Sequence, residues 1–521
     1  MLKNIRKRGA EIFLAVYVVL LSAVALFLGM KLPLSFDGGT HMVLSEFYRD
    51  VLLNAPRLGF SPHRLYEFGV NYLIHYPKLT ITYLPLYHLS MIPFLSLSWD
   101  PIAGVLTSVI YFALTSVLIY AIGNMIFKDK KMAIIAVLLF TLSEQIFMYL
   151  YYIAVDYSSY FCCFLIIFLF LKALETKKDL YFVLTGVSCF LAFFSRIFAV
   201  FPLLSVVAYL ALFEKTKKLR SILLVSVPFL LLTAPFLLFY SSVGGLEAGR
   251  IVLTEAESLP WTDYGPAAAV FYFIEYAEHT YGVGLAIFAA AAAYLYGLFK
   301  RKSFDKENVF LLLWFCSAYL IITYLQNPRY VSYILMPVIF WSSRLFAKLK
   351  PAYLVIFLVA FSFAPFFNAY YEVSERGGLA PAGKEISGYL FERGGNIGLL
   401  SDEPMPSSVF IYYVSVLDVN KTVFVYRPCF FDSFSNSSEG SLLGEMGKNG
   451  ITSVVVVRGK ETAAFGAIKQ AAQLEKSFNA GNYTFDVYSV KAAGETKQKC
   501  NYVCAAGKYF CTDLSSPYDV K

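Results

Sequence analysis

Apolar runs of membrane-spanning length recur from Ile12 to about Tyr371 and then stop. Such a run, roughly 20 residues long, crosses the hydrocarbon core only as a helix, because no water is there to satisfy an open backbone. The recurrence predicts a polytopic α-helical membrane bundle for residues 1–371, and the change of pattern marks 372–521 as a separate unit. The chain is 58% apolar and only 15% charged, with mean hydropathy +0.60; soluble domains are roughly 25% charged. The formal net charge of +8 does not mark a nucleic-acid surface, since Lys and Arg sit in short loops between apolar runs. Membrane lipids are the expected surroundings, and no nucleic acid is expected as a partner.

Those basic loops predict a topology. Lys128-Asp129-Lys130-Lys131, Lys177-Lys178, the 215–220 segment, Lys300-Arg301-Lys302 and the 348–350 segment are each separated from the next by two apolar runs. Placing them all in the cytoplasm predicts about eleven transmembrane helices. They lie near 12–30, 102–127, 132–153, 157–174, 180–197, 199–213, 221–241, 281–299, 308–325, 330–347 and 352–371. The protein is then a multi-pass cell-membrane protein with a cytoplasmic N-terminus and an extracytoplasmic C-terminal domain. The 12–30 run follows Lys3, Arg6, Lys7 and Arg8 and reads as the first span, being long for a leader core. The stretch 84–97 contains Pro85 and Pro93 and, at about 14 residues, predicts an interfacial or re-entrant helix.

This topology puts several chemistry-bearing residues on the outer side, among them all five histidines (His41, His63, His75, His88, His279). The first helix runs into Phe36-Asp37-Gly38-Gly39-Thr40-His41. A proline-punctuated aromatic run follows, from Tyr76-Pro77-Lys78 to Tyr83-Leu84-Pro85-Leu86-Tyr87-His88. Then come Val155-Asp156-Tyr157 at the start of a helix, Phe194-Ser195-Arg196 at the end of one, and Asn327-Pro328-Arg329-Tyr330 opening another.

In this order and common sidedness, residues 1–371 resemble the GT-C superfamily, especially the protein O-mannosyltransferases and the aminoarabinose transferases of lipid A. Those enzymes carry an Asp in the first external loop, a Pro-Pro-Leu-Tyr-like segment, a second acid opening a later helix, and an Arg-Tyr pair near the last spans. Here the usual acidic pair is Asp37-Gly38 and the usual double proline is Leu84-Pro85. The resemblance implies a glycosyltransferase moving a hexose or pentose from a polyprenyl (dolichyl-type) phosphate donor. The acceptor would be a hydroxyl of a protein, lipid or glycan at the outer face.

It implies Asp37 as general base, taking the hydroxyl proton as attack proceeds. Asp156 would be the second catalytic carboxylate, orienting the acceptor or holding a divalent metal ion with Asp37. Arg329 and Arg196, with Tyr330 and Lys78 beside them, would bind the donor phosphate and stabilise it as a leaving group. A metal site would draw on Asp37, His41 and Asp156; His41 lies four residues after Asp37, so one helix face would hold both. Ordinary readings stand beside these: the acids as helix caps, the arginines as interfacial cations reaching lipid head groups.

Two other functions share the pattern of spans. A lipid-linked-sugar transporter or flippase would carry polar residues at mid-membrane and broken helices in related halves. A noncatalytic member of a glycan assembly complex would keep the bundle without the turnover. The string Trp261-Thr262-Asp263-Tyr264-Gly265 resembles the oligosaccharyltransferase signature, but it lies between predicted spans with Thr for the second Trp, and coincidence is expected there. Glu255 and Glu257 are its acidic neighbours.

Residues 372–521 read as a small external α/β domain. A short amphipathic helix is predicted over 384–393 and an Ala-rich helical stretch over 461–478. Short apolar runs occupy 397–400, 409–416, 422–426, 453–457 and 483–490. No glycine-rich phosphate loop precedes a helix. All three glycosylation sequons (Asn420, Asn436, Asn482) fall here, with Cys429, Cys500, Cys504 and Cys511. Four cysteines in an external domain fit two disulfides with three possible connectivities, or a metal knuckle on Cys500, Cys504 and Cys511. Cys162, Cys163, Cys189 and Cys316 lie in predicted spans and read as packing residues.

Overall fold

The first apolar run forms α1 (Gly9–Lys31), with Glu11 in its first turn and Lys31 in its last, each suited to the helix dipole at its end. The computed structural model of the chain describes residues 8–32, 34, 37–77, 83–97, 101–214, 217–242, 268–302, 304–323, 328–401, 404–427, 439–458, 463–480, 482–490, 498–503 and 508–520. After α1 come α2 (Gly38–Asn54), α3 (Pro62–His75) and the ten-residue α4 (Leu86–Leu95). At 1.5 Å per residue α4 spans only about 15 Å, too short to cross. The expectation of a non-crossing helix therefore has its counterpart here.

The bundle continues with α5 (Ile102–Phe127), α6 (Lys130–Thr141), α7 (Glu144–Tyr151), α8 (Asp156–Thr176), α9 (Asp179–Ser195), α10 (Pro202–Phe213) and α11 (Lys218–Ser242). After these come α12 (Ala268–His279), α13 (Leu285–Arg301), α14 (Lys306–Thr323), α15 (Val331–Phe346) and α16 (Pro351–Arg376). A helix, or the α6–α7 pair bent by 72°, occupies each of the eleven predicted segments. By length and composition, five helices of the described residues could cross a membrane, or six with the bent pair. The other five segments hold helices of 12 to 18 residues. α8 and α15 are buried on nearly all sides, whereas α11 and α16 turn Leu231, Leu238, Ile356 and Val359 outward. That inside-out surface is what a lipid solvent demands.

Contacts at the helix ends agree with the alternation of basic loops. Lys130 Nζ lies 2.6 Å from Glu11 Oε1, and Lys131 Nζ donates to the Ala347 carbonyl at 2.7 Å. These contacts gather the start of α1, the start of α6 and the end of α15. Arg220 pairs with Asp179, joining the starts of α9 and α11.

The C-terminal residues form α17 (Leu379–Arg393), β1 (Asn396–Leu400), α18 (Pro404–Leu417), β2 (Val425–Tyr426), α19 (Glu439–Lys448), β3 (Ile451–Arg458), α20 (Ala463–Ala471), β4 (Gln473–Ala480) and β5 (Tyr483–Ser489). The sheet order is β2-β1-β3-β5-β4, parallel across β2, β1 and β3 and antiparallel across β3, β5 and β4. A separate antiparallel ladder pairs β6 (Lys499–Val503) with β7 (Lys508–Thr512). Cys500 and Cys511 face each other in it and are joined by a disulfide. That bond takes both sulfurs from the metal-knuckle alternative; Cys429 and Cys504 lie outside the described residues. Asn420 and Asn482 are exposed, while Asn436 also lies outside them.

Two segments differ from their sequence patterns. The strand-length run 409–416 is the middle of α18, where Val409, Phe410, Ile411, Tyr412 and Val414 are all buried. A helix covered on most sides has no polar face, so its periodicity is lost. The Ala-rich stretch 461–478 is helical only as α20, and most of its end becomes β4, paired with β5.

Candidate active site

Asp37 stands at the turn between α1 and α2, directly before Gly38. Its side chain does not cap α2. Instead Asp37 Oδ2 accepts a hydrogen bond from the Tyr83 hydroxyl at 3.0 Å, across the loop that leads into α4. The capping reading of Asp37 therefore fails. One turn on, His41 is buried with its Nδ1 3.0 Å from His88 Nε2 of α4, and its ring meets Tyr83 edge-on at 4.6 Å.

Asp156 is the first residue of α8 and 1% exposed; it does not cap that helix either, since Val155 holds the cap position. Arg196, just past α9, points Nη1 at Asp156 Oδ1 at 2.7 Å. The arginine is itself only 10% exposed, so it does not reach out to head groups. The other Asp156 oxygen, Oδ2, is buried and accepts no hydrogen bond among the described residues. A buried carboxylate oxygen left without a donor costs about 1–3 kcal/mol, which a bound hydroxyl would relieve.

Arg329 follows Pro328 in a short 3-10 turn before α15. Its Nε donates to the Tyr149 hydroxyl of α7 at 3.4 Å, and its guanidinium lies 5.7 Å from the Tyr149 ring centre. The Tyr330 ring lies 5.6 Å from the Arg196 guanidinium and 4.5 Å from the Phe198 ring. Aromatic faces thus hold both cations in place.

These residues belong to one electrostatic neighbourhood. Burial pushes the His41 imidazole down to about 4; Asp37 and Asp156 pull upward, while Arg329 and Arg196 push down. The Tyr83 hydroxyl is raised by burial and then by Asp37, with Arg329 and Arg196 opposing. The charges of two acids and two arginines from four distant parts of the sequence therefore bear on His41, and those of Asp37, Arg329 and Arg196 on Tyr83 as well. Lys78 lies outside the described residues, as do the 261–265 string, Glu255 and Glu257. Among the described residues no group of three His, Cys, Asp or Glu side chains is arranged to hold a metal ion. Of the metal candidates, Asp156 is paired with Arg196 and His41 with His88.

Sequence reasoning missed Tyr83, Tyr149 and His88 as site residues. The run containing Tyr83 and His88 is visible in the chain, but nothing in it says which ring meets Asp37. Changing Tyr83→Phe removes a hydrogen bond to a charged group, worth about 1.5–3 kcal/mol. The unfolding free energy should fall by up to that amount, because Asp37 loses a donor; chemical unfolding of both proteins decides it.

The architecture has a counterpart among solved membrane-protein structures. Residues 89–239 match the model of the dolichyl-phosphate-mannose-protein mannosyltransferase family. The crystal structure of ArnT from Cupriavidus metallidurans bound to undecaprenyl phosphate superimposes with a TM-score of 0.61 at 10% identity, covering 92% of this chain and 98% of that one. The oligosaccharyltransferase of Archaeoglobus fulgidus, in complex with Zn and sulfate, matches with a TM-score of 0.47 at 14% identity, covering 76% of this chain and 63% of that one. Among curated proteins, none matches the chain by sequence.

Proposed function

We propose that this chain is a glycosyltransferase that moves a sugar from a polyprenyl phosphate to an acceptor hydroxyl at the outer membrane face. The reading is carried by the buried Asp156–Arg196 pair, 2.7 Å apart with Asp156 Oδ2 left over, whose charges bear on His41 together with those of Asp37 and Arg329. In it, Asp37 accepts the proton of the acceptor hydroxyl while that oxygen attacks the anomeric carbon. The bond from that carbon to the phosphate oxygen breaks, and the lipid phosphate leaves as an anion facing Arg329 and Arg196. Asp156, held by Arg196 through one oxygen, offers Oδ2 to orient the incoming hydroxyl. ArnT, similar in fold, was solved with undecaprenyl phosphate bound, which supports a polyprenyl-phosphate donor.

The test is transfer of radiolabel from synthetic polyprenyl-phosphate hexoses and pentoses to extracted membrane acceptors by the purified protein in lipid nanodiscs. Label should leave the donor lipid for one of these acceptors. A protein that moves no label from any such donor is not this enzyme.

The outward sidedness is supported by the basic loops, the exposed sequon residues Asn420 and Asn482, and the Cys500–Cys511 disulfide, which belongs in an oxidising compartment. A cysteine at exposed Lys178 should resist an impermeant thiol reagent in intact cells, and one at exposed Lys384 should label. The reverse pattern would overturn the orientation and move the site to the cytoplasmic side.

A further inference from the structure

The C-terminal unit grips the outer loop that carries Asp37. Glu46 of α2 is fully buried, and its Oε2 receives Lys421 Nζ at 3.3 Å and the Ser415 hydroxyl of α18. Lys421 is 3% exposed, donates also to the Ser415 carbonyl, and lies 5.5 Å from the Tyr76 ring centre. The backbone of α18 passes so close to α2 that a Cβ on Gly39 would fall 2.3 Å from the Ser408 carbonyl oxygen. Further along, Asp50 accepts from Tyr518 at 2.7 Å and Tyr72 at 3.3 Å, and Asp418 accepts from Tyr76 at 2.7 Å.

We propose that the buried Glu46–Lys421 pair, with Ser415, is a positioning device that fixes the register of α2 against the C-terminal unit and thereby sets where Asp37 stands. The inference rests on the glycosyl-transfer reading for the role of Asp37. A buried ion pair is a poor source of stability, because desolvation offsets much of its attraction. What it supplies is discrimination. Sliding α2 by one turn, about 5.4 Å, would leave two buried charges unpaired, a penalty no apolar contact imposes. Glu46 lies nine residues from Asp37 on a continuous helix, so a register error there is transmitted to Asp37 without loss. Gly39 lets the two backbones touch, so the helix end nearest Asp37 is held flush while the ion pair holds the middle.

The experiment compares wild type, Lys421→Met, and the double variant Glu46→Gln with Lys421→Met. Unfolding midpoint, amide hydrogen exchange over His41–Leu44, and transfer kinetics are measured on the full-length protein in nanodiscs. Lys421→Met should lower the midpoint, speed exchange at least tenfold and cut kcat at least tenfold, with the donor KM within twofold of wild type. The double variant, with no charge left buried, should recover the midpoint. Its kcat should stay at least fivefold down and its exchange faster than wild type, because two neutral groups do not enforce register.

If kcat and exchange recover together with the midpoint, the pair is only a stabilising contact and the proposal fails. It fails equally if Lys421→Met leaves exchange and kcat at wild-type values. Should Lys421→Met not fold, the double variant decides by the same two readouts. Should even the wild type transfer no sugar, the functional reading falls, and hydrogen exchange in the double variant alone decides the positioning role.

Discussion

Asp37→Asn should lower kcat by about 10²- to 10⁴-fold, the usual contribution of a positioned general base. Asparagine keeps a carbonyl oxygen for the Tyr83 hydroxyl, so the loop and the α1–α2 turn should hold their shape. The donor phosphate faces Arg329 and Arg196 rather than Asp37 in the proposed reaction. The donor KM should therefore move less than the turnover does. Initial rates with a saturating radiolabelled donor, beside unfolding curves for both proteins, give the answer. A variant that folds normally and transfers at the wild-type rate would falsify the role assigned to Asp37.

The second large effect is on stability. Arg196→Met leaves the Asp156 carboxylate 1% exposed and without its ion-pair partner. Breaking a buried pair from one side typically costs about 3–5 kcal/mol, because the remaining charge stays desolvated. Removing both charges, as Asp156→Asn with Arg196→Met, should recover most of that loss. Transfer should not return with the stability, since both groups face substrate in the proposed reaction. Chemical unfolding of the three proteins in one detergent is the measurement. Equal stabilities for the single and double variants would show that the pair is not coupled in the folded protein.

Much of the architecture is legible in the chain itself. Eleven apolar segments were visible in the chain, and a helix or bent helix pair occupies each. They were visible because a bilayer accepts little else, so pattern and structure are tightly linked. The break between α6 and α7 was not visible. Its residues, Leu142 and Ser143, are ordinary in a membrane helix, and the contact made there, the Tyr276 hydroxyl 2.9 Å from Ser143 Oγ, joins residues far apart in the chain. The strand-length run inside α18 failed for the related reason that burial on most sides erases periodicity.

The candidate site was legible as single residues and not as contacts. Asp37, Asp156, Arg196 and Arg329 were candidates because the order in which they stand along the chain resembles that of the GT-C enzymes. Their partners were not found. Tyr83 meets Asp37 across 46 residues, and Tyr149 meets Arg329 across 180. The chain is 18% aromatic, so no single tyrosine stands out. The clasp of the C-terminal unit on α2 was also hidden, because nothing in the sequence pairs Glu46 with Lys421 across 375 residues.

What the sequence alone determined, then, is the partition of the chain between lipid and water: which segments are apolar enough to enter the membrane, and which charges stand at their ends. That follows from transfer free energies, which act residue by residue along the chain. Only the tertiary structure decided which charges meet, which tyrosine holds Asp37, and that residues near the C-terminus pack against the helix that follows it. Within a bilayer, apolar burial does not distinguish one helix neighbour from another, so those choices rest on close packing and on hydrogen bonds between residues far apart in the chain.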